Sequence, residues 1–320
     1  MSNQIEMVCV NDLVPANHTY RSLHESIHYK KITHLLKSVE KDNNYKGYGS
    51  MRLFKCILLQ FMEDLSDRQL ERFIAENNVA KWFCGFGLAE KTPTHTVFTR
   101  VRERIGTQKL AKIFSKIRDQ LKANGLMNEI FTFVDASALI AKTNLWKERD
   151  EIKKKQKSMD NKNLRKVAHD KQAKIGCKGK NKYWYGYKKH VSVDMRSGLI
   201  NKVAVTAANV LDMDGLKSVA PKQGAVYADK GYCAAKLDQQ MAKRGCYLRA
   251  IKKNNMKEKN KDLDKWLTKI RSPYERVFSK QRKRVRYMGI AKNQFSEIMS
   301  AICFNAKRLM SLDPPNIALT

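Results

Sequence analysis

The chain has 320 residues, 42% of them hydrophobic, so it is long enough for one large domain or two ordinary ones around a buried core. Lysine and arginine number 63 against 31 aspartates and glutamates, a formal charge of +32 that indicates a polyanionic partner. No apolar stretch reaches the roughly 18 residues of a membrane span, and the first ten residues lack the basic flank of a signal peptide, so we expect a cytoplasmic protein with no membrane partner.

The positive charge is concentrated in the second part of the chain. Residues 1–128 carry a net charge of +7, and residues 129–320 carry +25. The basic residues are spread over several segments rather than lining one amphipathic helix, which favours nucleic acid over a membrane surface. Seven scattered cysteines without a C-x-x-C pair predict neither a disulfide framework nor a zinc ribbon, and we expect them to be reduced and buried.

The first predicted elements, from residue 20 to about 125, are helices. Leu53, Phe54, Ile57, Leu58 and Phe61 recur at the spacing of one helical face. Ser66 and Gln69 have the spacing of a capping box that opens the next helix. We therefore predict an all-α N-terminal domain over residues 1–128.

Two helices around a tight turn close this domain. The first spans 96–105, and the second begins at Thr107 and ends at Gly125. Arg100, Arg102 and Arg104 are predicted to face outward from the first helix, where they would contact DNA. The alternative is an ordinary solvated face of arginines.

Strand patterns begin at residue 130. The run 130–134 reads as a buried strand that delivers Asp135 at its tip, and the run 225–228 reads as another that delivers Asp229. Between them, 183–193 and 199–207 are predicted to form a hairpin. These elements predict an α/β domain over residues 129–312.

Two basic segments are predicted as insertions into this domain. Residues 147–182 are rich in lysine without a steady apolar period, and we expect them to be flexible in the absence of a ligand. Residues 252–265 are predicted to be a second basic loop. Lysine runs of this kind neutralise phosphates without reading a base sequence.

Asp135 and Asp229 would lie at one edge of the sheet if their strands are neighbours. Two or three converging carboxylates are what Mg²⁺ needs for phosphoryl chemistry. Glu275 is the candidate for the third, because it lies near Arg271, Arg276 and Arg282 in a predicted helix. The alternative is that strand-end aspartates are turn or cap residues.

Aromatic residues at 183–187 lie among lysines and could stack on unpaired bases. Strand alternation instead places Tyr185 and Tyr187 in the core, which leaves Trp184 as the stacking candidate. Lys188 and Lys189 in the same strand are candidate phosphate contacts. His190 and Asp194 are interpreted as structural.

A competing motif occurs near the start. His24-Glu25-Ser26-Ile27-His28 spells H-E-x-x-H, and His34 stands where a third zinc ligand would in a longer protease pattern. Lys31 replaces the glycine that the longer pattern needs for its turn, and its charge opposes a zinc ion. We interpret the motif as accidental.

Distinctive short sequence blocks are spread along the whole chain. The helical domain carries such blocks at 53–55, 58–60, 65–68, 82–85 and 94–100. The strands carry Val134-Asp135-Ala136-Ser137, the block 185–194, Thr206 to Asp212 and Ala228-Asp229-Lys230-Gly231-Tyr232, and the tail carries 287–293 and 304–309. In these blocks the chain resembles bacterial insertion-sequence transposases of the family numbered five in the DDE superfamily, and the match covers nearly the whole chain in the same order.

This resemblance implies a ribonuclease-H-like domain in which Asp135, Asp229 and Glu275 hold two Mg²⁺ ions, with Mn²⁺ as a substitute. It also implies a prokaryotic cytoplasmic protein, associated with the nucleoid, that acts on double-stranded DNA. The DNA comprises the terminal inverted repeats and the target, and a homodimer forms in the synaptic complex.

The chain departs from the superfamily around the third carboxylate, where Thr268 replaces a tyrosine and Arg282 replaces a lysine. Glu297 is the second candidate for that ligand. Two other functions stay open: a DNA-binding protein without catalysis, and a nuclease of the same fold that does not join strands.

Overall fold

The computed structural model describes residues 8–40, 47–179, 181–252, 256, 260–279 and 283–312, with the side chains of 275–279 excluded. The chain divides into two compact units, one made of residues 1–120 with 302–320 and the other of 121–301. The division falls eight residues before the predicted boundary at 128, and the end of the chain returns to the first unit. None of the helices in the described ranges is both long and apolar enough to cross a membrane.

The first unit is helical, as predicted. Its helices are α1 Thr19–Glu25, α2 Lys30–Glu40, α3 Ser50–Met62, α4 Asp67–Glu76, α5 Asn78–Cys84 and α6 His95–Ala123. The predicted capping box starts α4, since Ser66 Oγ accepts from the Gln69 N–H and Gln69 Oε1 accepts from the Ser66 N–H. Most of α3 is buried, including Leu53 and Phe54, which explains its continuous apolar run.

The two predicted helices around residue 106 form one element interrupted by a glycine. Gly106 has φ 62° and ψ 169°, a conformation that side-chain-bearing residues rarely adopt. Val101 and Ile105 before it, and Leu110 and Ile113 after it, are all buried. The kink therefore lets two short amphipathic helices bury different faces.

The described part of the second unit contains one mixed sheet of six strands. The strands are β1 Phe131–Ile140, β2 Lys174–Lys178, β3 Lys182–Asp194, β4 Ile200–Ala207, β5 Gly224–Ala228 and β6 Cys246–Ala250. Their order is β2-β3-β1-β5-β6, and β4 also pairs with β3. β3 runs antiparallel to β1, β2 and β4, whereas β1, β5 and β6 are parallel. The predicted hairpin is confirmed as β3 and β4.

β1 is longer than predicted. It pairs with β5 only as far as Val134, which lies opposite Ala228, and then continues along β3 to Ile140. The prediction that Asp135 ends the strand is therefore wrong: Asp135 lies inside β1, opposite Val191 of β3. Asp229 does follow the end of β5, as predicted, and begins a short 3₁₀ turn at Lys230–Tyr232.

Helices cover both faces of the sheet. They are α7 Trp146–Lys157, α8 Leu164–Val167, α9 Asp212–Val219, α10 Ala235–Ala242, α11 Lys261–Ser279 and α12 Ile290–Ser311. On the Asp135 face, Phe133 and Tyr227 pack against Leu267 of α11. On the opposite face, Val134 and Leu216 belong to a cluster that includes residues of α9 and α10.

The expectation that residues 147–182 are a flexible excursion is wrong. This segment contains α7, α8 and β2, and it contributes Ile152, Leu164 and Ile175 to a core cluster with Tyr185 and Tyr187. The core assignment of the two tyrosines is confirmed. Most of the few apolar residues of the segment are buried, but they are too widely spaced among lysines to show a helix or strand period in the sequence.

The seven cysteines are all free, as predicted. Cys56, Cys84, Cys246 and Cys303 are buried, whereas Cys9 is exposed and Cys177 and Cys233 are half-buried. The expectation of burial therefore holds for four of them.

Candidate active site

Asp135 and Asp229 occupy neighbouring positions at the end of the β1–β5 pairing. Val134 lies opposite Ala228, and the residue after each of them is an aspartate, Asp135 inside β1 and Asp229 just beyond the end of β5. Side chains alternate between the two faces of a sheet, so Asp135 lies on the same face as Phe133, and Asp229 on the same face as Tyr227. The predicted convergence of these two positions at one edge of the β1–β5 pair is therefore what the register gives.

Asp135 is a partly buried carboxylate with an unusual acidity. Its Oδ1 accepts a hydrogen bond from the Ala136 N–H at 2.8 Å. The pKa of the carboxyl is raised to about 6, chiefly by burial and further by the charge of Asp229, against the lowering effects of the Ala136 N–H, Lys178 and Arg271. A cation bound here would favour the ionised form and offset that burial.

Asp229 is held from two sides. Its Oδ1 accepts a hydrogen bond from the Lys230 N–H at 2.7 Å and lies 3.3 Å from Nη1 of Arg271 in α11. Arg271 is only 7% exposed, and its guanidinium lies 5.5 Å from the centroid of the Phe133 ring. The structure therefore places a buried arginine beside both aspartates.

The third predicted carboxylate is carried by α11. Glu275 belongs to α11, one helical turn after Arg271, but its side chain and that of Arg276 lie outside the described residues, as does all of Arg282. Among the described residues there is no group of three or more histidines, cysteines, aspartates or glutamates that could hold a metal ion. The two described aspartates supply the oxygen donors that a hard divalent cation prefers.

Glu297, the second candidate for the third ligand, has a different partner. Its Oε2 lies 3.0 Å from Nζ of Lys189, and both side chains are nearly buried. The same contact contradicts the prediction that Lys189 binds DNA, because that lysine is 2% exposed and neutralises a carboxylate inside the protein.

Sequence reasoning missed Tyr232, which is 1% exposed. Burial raises the pKa of its hydroxyl, and the charges of Asp212, Asp135 and Asp229 raise it further. Its hydroxyl has no hydrogen-bond partner within the described ranges. The signal in the sequence is the aromatic residue three positions after Asp229, in the Asp229-Lys230-Gly231-Tyr232 block that the resemblance already marks.

Lys188 is bound to other residues of the protein through its ammonium group. Its Nζ donates to Asp212 Oδ1 and to the Val210 carbonyl, both at 2.8 Å. It also lies 5.9 Å from the centroid of the Trp184 ring. Trp184 is half-buried, and its indole N–H donates to the Tyr187 carbonyl at 3.0 Å. Both predicted DNA contacts are thus bound within the protein.

His190 and Asp194 are structural, as predicted. His190 is fully buried, shares a hydrogen bond with Thr206 Oγ1 at 2.9 Å, and has its pKa lowered to about 4 by burial. Asp194 accepts hydrogen bonds from the backbone and hydroxyl of Ser197, at 3.0 and 2.8 Å, and from the Asn128 N–H at 3.2 Å.

The three arginines of α6 have different environments. Arg100 is exposed, as predicted. Arg102 forms two hydrogen bonds with the carboxylate of Asp67, at 2.8 and 2.5 Å, so its predicted outward orientation is wrong. Arg104 is half-buried. Only Arg100 combines the predicted position with full exposure.

The H-E-x-x-H motif lies in α1 and the turn that follows it. Nδ1 of His24 lies 3.2 Å from Nζ of Lys55, and the His24 ring stacks on Tyr29 with centroids 5.5 Å apart. A lysine ammonium at the imidazole nitrogen is incompatible with a zinc ion there. The interpretation of the motif as accidental therefore agrees with its surroundings.

The sheet with its paired aspartates and packed helix has the ribonuclease-H-like architecture of metal-dependent polynucleotidyl transferases. The family described as Transposase DDE domain matches residues 132–309, and the family described as Transposase domain (DUF772) matches residues 8–104. The chain therefore belongs to the DDE transposase family, an enzyme family that depends on divalent metal and acts on DNA.

A solved structure of a transposase is among those that match this chain. It is the cryo-electron-microscopy structure of the piggyBac transposase synaptic complex with hairpin DNA. The sequence identity is 9% and the TM-score is 0.44, over 92% of this chain and 75% of that chain.

Proposed function

We propose that this transposase binds the terminal inverted repeats of its own insertion sequence and cleaves and joins DNA strands with Mg²⁺, for which Mn²⁺ can substitute. The observation that supports this most directly is the adjacent placement of Asp135 and Asp229 beside the buried Arg271. All three residues lie inside the segment that matches the DDE domain.

In this proposal Asp135, Asp229 and Glu275 hold two ions. The bound ions would activate a water molecule or a 3′-hydroxyl and stabilise the leaving oxygen. The chain itself contributes position and charge. β1 fixes Asp135 within a ladder of strand hydrogen bonds, and Arg271 offers a cation to the phosphate that approaches Asp229.

Each of the two units would bind DNA. Arg100 in the helical unit is the exposed candidate for end recognition, and Arg276 and Arg282 are proposed as phosphate contacts. Because the reaction pairs two ends, a homodimer is proposed in the synaptic complex. The protein is proposed to act in the prokaryotic cytoplasm, at the nucleoid.

The test is cleavage and joining of a labelled duplex that carries the DNA flanking the gene, with Mg²⁺ or Mn²⁺. Wild type should cut at one position and join the product to a target plasmid. Asp229→Asn should lose both reactions, at least 1000-fold as an order of magnitude, and retain DNA binding because the basic surface is unchanged. Asp238→Asn, an exposed aspartate of α10, is the matched control.

Binding of Mn²⁺, measured by electron paramagnetic resonance without DNA, gives a second readout. It should weaken in Asp135→Asn and Asp229→Asn and stay unchanged in Asp238→Asn. Cleavage without joining would indicate a nuclease of the same fold. Binding without cleavage by wild type would indicate a DNA-binding protein in which the carboxylates are inactive. Cleavage by Asp229→Asn at the wild-type rate would contradict the assignment of the site.

A further inference from the structure

Leu145 and Trp146 form an exposed apolar pair where α7 begins. Trp146 is 74% exposed and Leu145 is 70% exposed, the two largest values among the exposed large hydrophobic side chains of the described ranges. Single exposed apolar residues are common on protein surfaces. Two adjacent ones, one of them a tryptophan, indicate a surface that is covered by a partner.

The pair is carried by a well-anchored helix. Glu148 is buried, and its carboxylate accepts hydrogen bonds from the Asn144 N–H at 2.9 Å and the His169 N–H at 2.7 Å. Ile152, later in α7, is 2% exposed in the core cluster. The helix therefore has its own buried side, and the exposed pair lies apart from it.

The surroundings of Trp146 suit an anionic aromatic partner. The guanidinium carbon of Arg149 lies 4.1 Å from the centroid of the indole, so a cation occupies one ring face. Lys142, Lys147 and Lys153, which flank the pair in sequence, are exposed. An exposed aromatic ring among cations is the combination that binds nucleobases next to their phosphates.

The pair also follows the end of β1 that extends beyond Asp135. β1 passes the end of β5, where Asp229 lies, and continues for five residues after Asp135, about 16 Å at the rise of a strand. Ile152 packs in the same cluster as Leu139, which shares a sheet face with Asp135. A duplex bound at the aspartates would meet α7 within about one helical turn of roughly 34 Å.

Trp184 is a weaker choice for base stacking. Its indole N–H is bound to the Tyr187 carbonyl, and its ring lies so close to Gly176 that a methyl group there would be 2.8 Å from Cζ2. Moving this ring onto a base would break a strand contact. Trp146 needs no such rearrangement.

We propose that Trp146 stacks on an unpaired DNA base within about one helical turn of the cleaved phosphate and that Leu145 fills the gap left in the base stack. The proposal rests on the proposed function, since it takes DNA as the ligand. It adds a subsite for an extrahelical base to the phosphate contacts.

The test uses two labelled duplexes of the same mixed sequence, one fully paired and one with a short unpaired bubble, without divalent metal. Affinities are measured by fluorescence anisotropy for wild type, Trp146→Ala and Trp146→Phe. Trp146→Ala should lose roughly 5- to 100-fold in affinity for the bubble, with less than about twofold change for the paired duplex. Trp146→Phe should keep most of the bubble affinity, because it keeps an aromatic face.

Leu263→Ala, which removes a 48% exposed leucine of α11, is the matched control and should bind both DNAs like wild type. Thermal unfolding followed by circular dichroism should show that all variants fold. Leu145→Ser should weaken bubble binding in the same direction as Trp146→Ala.

The outcomes separate this proposal from the proposed function. If wild type binds neither DNA, DNA as a ligand is wrong and both proposals fail. If wild type binds both but Trp146→Ala binds them equally well, or loses affinity for both alike, only the stacking proposal fails. A change in oligomeric state of Trp146→Ala by light scattering, with unchanged DNA affinity, would identify the pair as a protein interface instead.

Discussion

Lys189 and Glu297 form a buried ion pair between β3 and α12, with Nζ and Oε2 3.0 Å apart and side-chain exposures of 2% and 10%. Each charge depends on the other, because an isolated buried charge has lost its hydration without compensation. The pair makes the helix that carries Glu297 part of the catalytic domain's sheet packing.

Removing one member of this pair should destabilise the protein. Lys189→Met or Glu297→Gln should each lower the free energy of unfolding by about 3 kcal/mol, because the remaining partner is left buried and unpaired. The double variant Lys189→Met with Glu297→Leu should recover part of the loss, because neither charge is then left buried. Urea unfolding measures all three. Lys154→Met, at a 74% exposed lysine, should leave the free energy of unfolding close to that of wild type; equal losses in both lysine variants would contradict the importance of burial.

Arg100 and Arg102 should have opposite phenotypes although they lie two residues apart. Arg102→Ala should cost about 2 kcal/mol of stability, because it removes the two charge-assisted bonds to Asp67 and leaves that half-buried carboxylate with only the neutral donors Gln60 and Thr99. Arg100→Ala should leave the free energy of unfolding unchanged. It should reduce the slope of log affinity for DNA against log salt concentration by about one. Unfolding and binding at several salt concentrations measure the two effects. An unchanged salt slope in Arg100→Ala would remove it from the DNA interface.

Glu129 should make the free energy of unfolding depend on pH in the acid range. Burial favours its neutral form, but hydrogen bonds from Lys122 Nζ, the Lys222 N–H and Asn201 Nδ2 outweigh it and lower the pKa of the carboxyl to about 2. A folded-state pKa below the unfolded value means that the stabilisation is fully present above pH ~4.5 and is lost as the pH falls toward 2. Glu129→Gln should therefore lose roughly 2 kcal/mol at pH 7 and little at pH 2.5.

The matched control for Glu129 is Glu151→Gln, which alters a carboxylate on α7 whose side chain is 39% exposed. Its unfolding free energy should follow the wild-type pH dependence. If Glu129→Gln shows the wild-type slope between pH 5 and 2.5, the carboxylate does not have the depressed pKa that its three donors imply.

Gly215 should not tolerate a side chain. A methyl group at this position of α9 would lie 2.1 Å from Cε1 of His190, and the ring is fully buried against Thr206. Gly215→Ala should destabilise the protein by about 2 kcal/mol through overpacking. Gly87→Ala, whose added methyl would meet Glu90 at 3.7 Å, should be close to neutral. Thermal unfolding compares the two, and equal melting temperatures would show that α9 can shift without cost.

Local patterns in the sequence were sufficient for much of the fold. The helical first unit, the capping box at Ser66 and the hairpin of β3 and β4 follow from apolar spacing and turn residues, which act over a few positions. The two aspartates of the site also follow from such patterns, because each comes directly after a buried strand residue, Val134 or Ala228.

Tertiary contacts decided what the sequence could not. Lys189 and Arg102 have the sequence surroundings of surface cations, and only the fold brings Glu297 and Asp67 to them. Residues 147–182 look polar because α7 buries only Glu148 and Ile152, and one of these two is itself charged. The reach of β1 beyond Asp135 depends on pairing with β3, which no local pattern of β1 records.

The extension of β1 makes the two aspartates mechanically unequal. The backbone around Asp135 is clamped by partners on β3, so moving it would break a row of strand hydrogen bonds. Asp229 stands where β5 has ended, and the chain after it turns through Lys230–Tyr232. Any adjustment of spacing between the two carboxylates therefore has to come from the Asp229 side, with Asp135 serving as the stationary reference point.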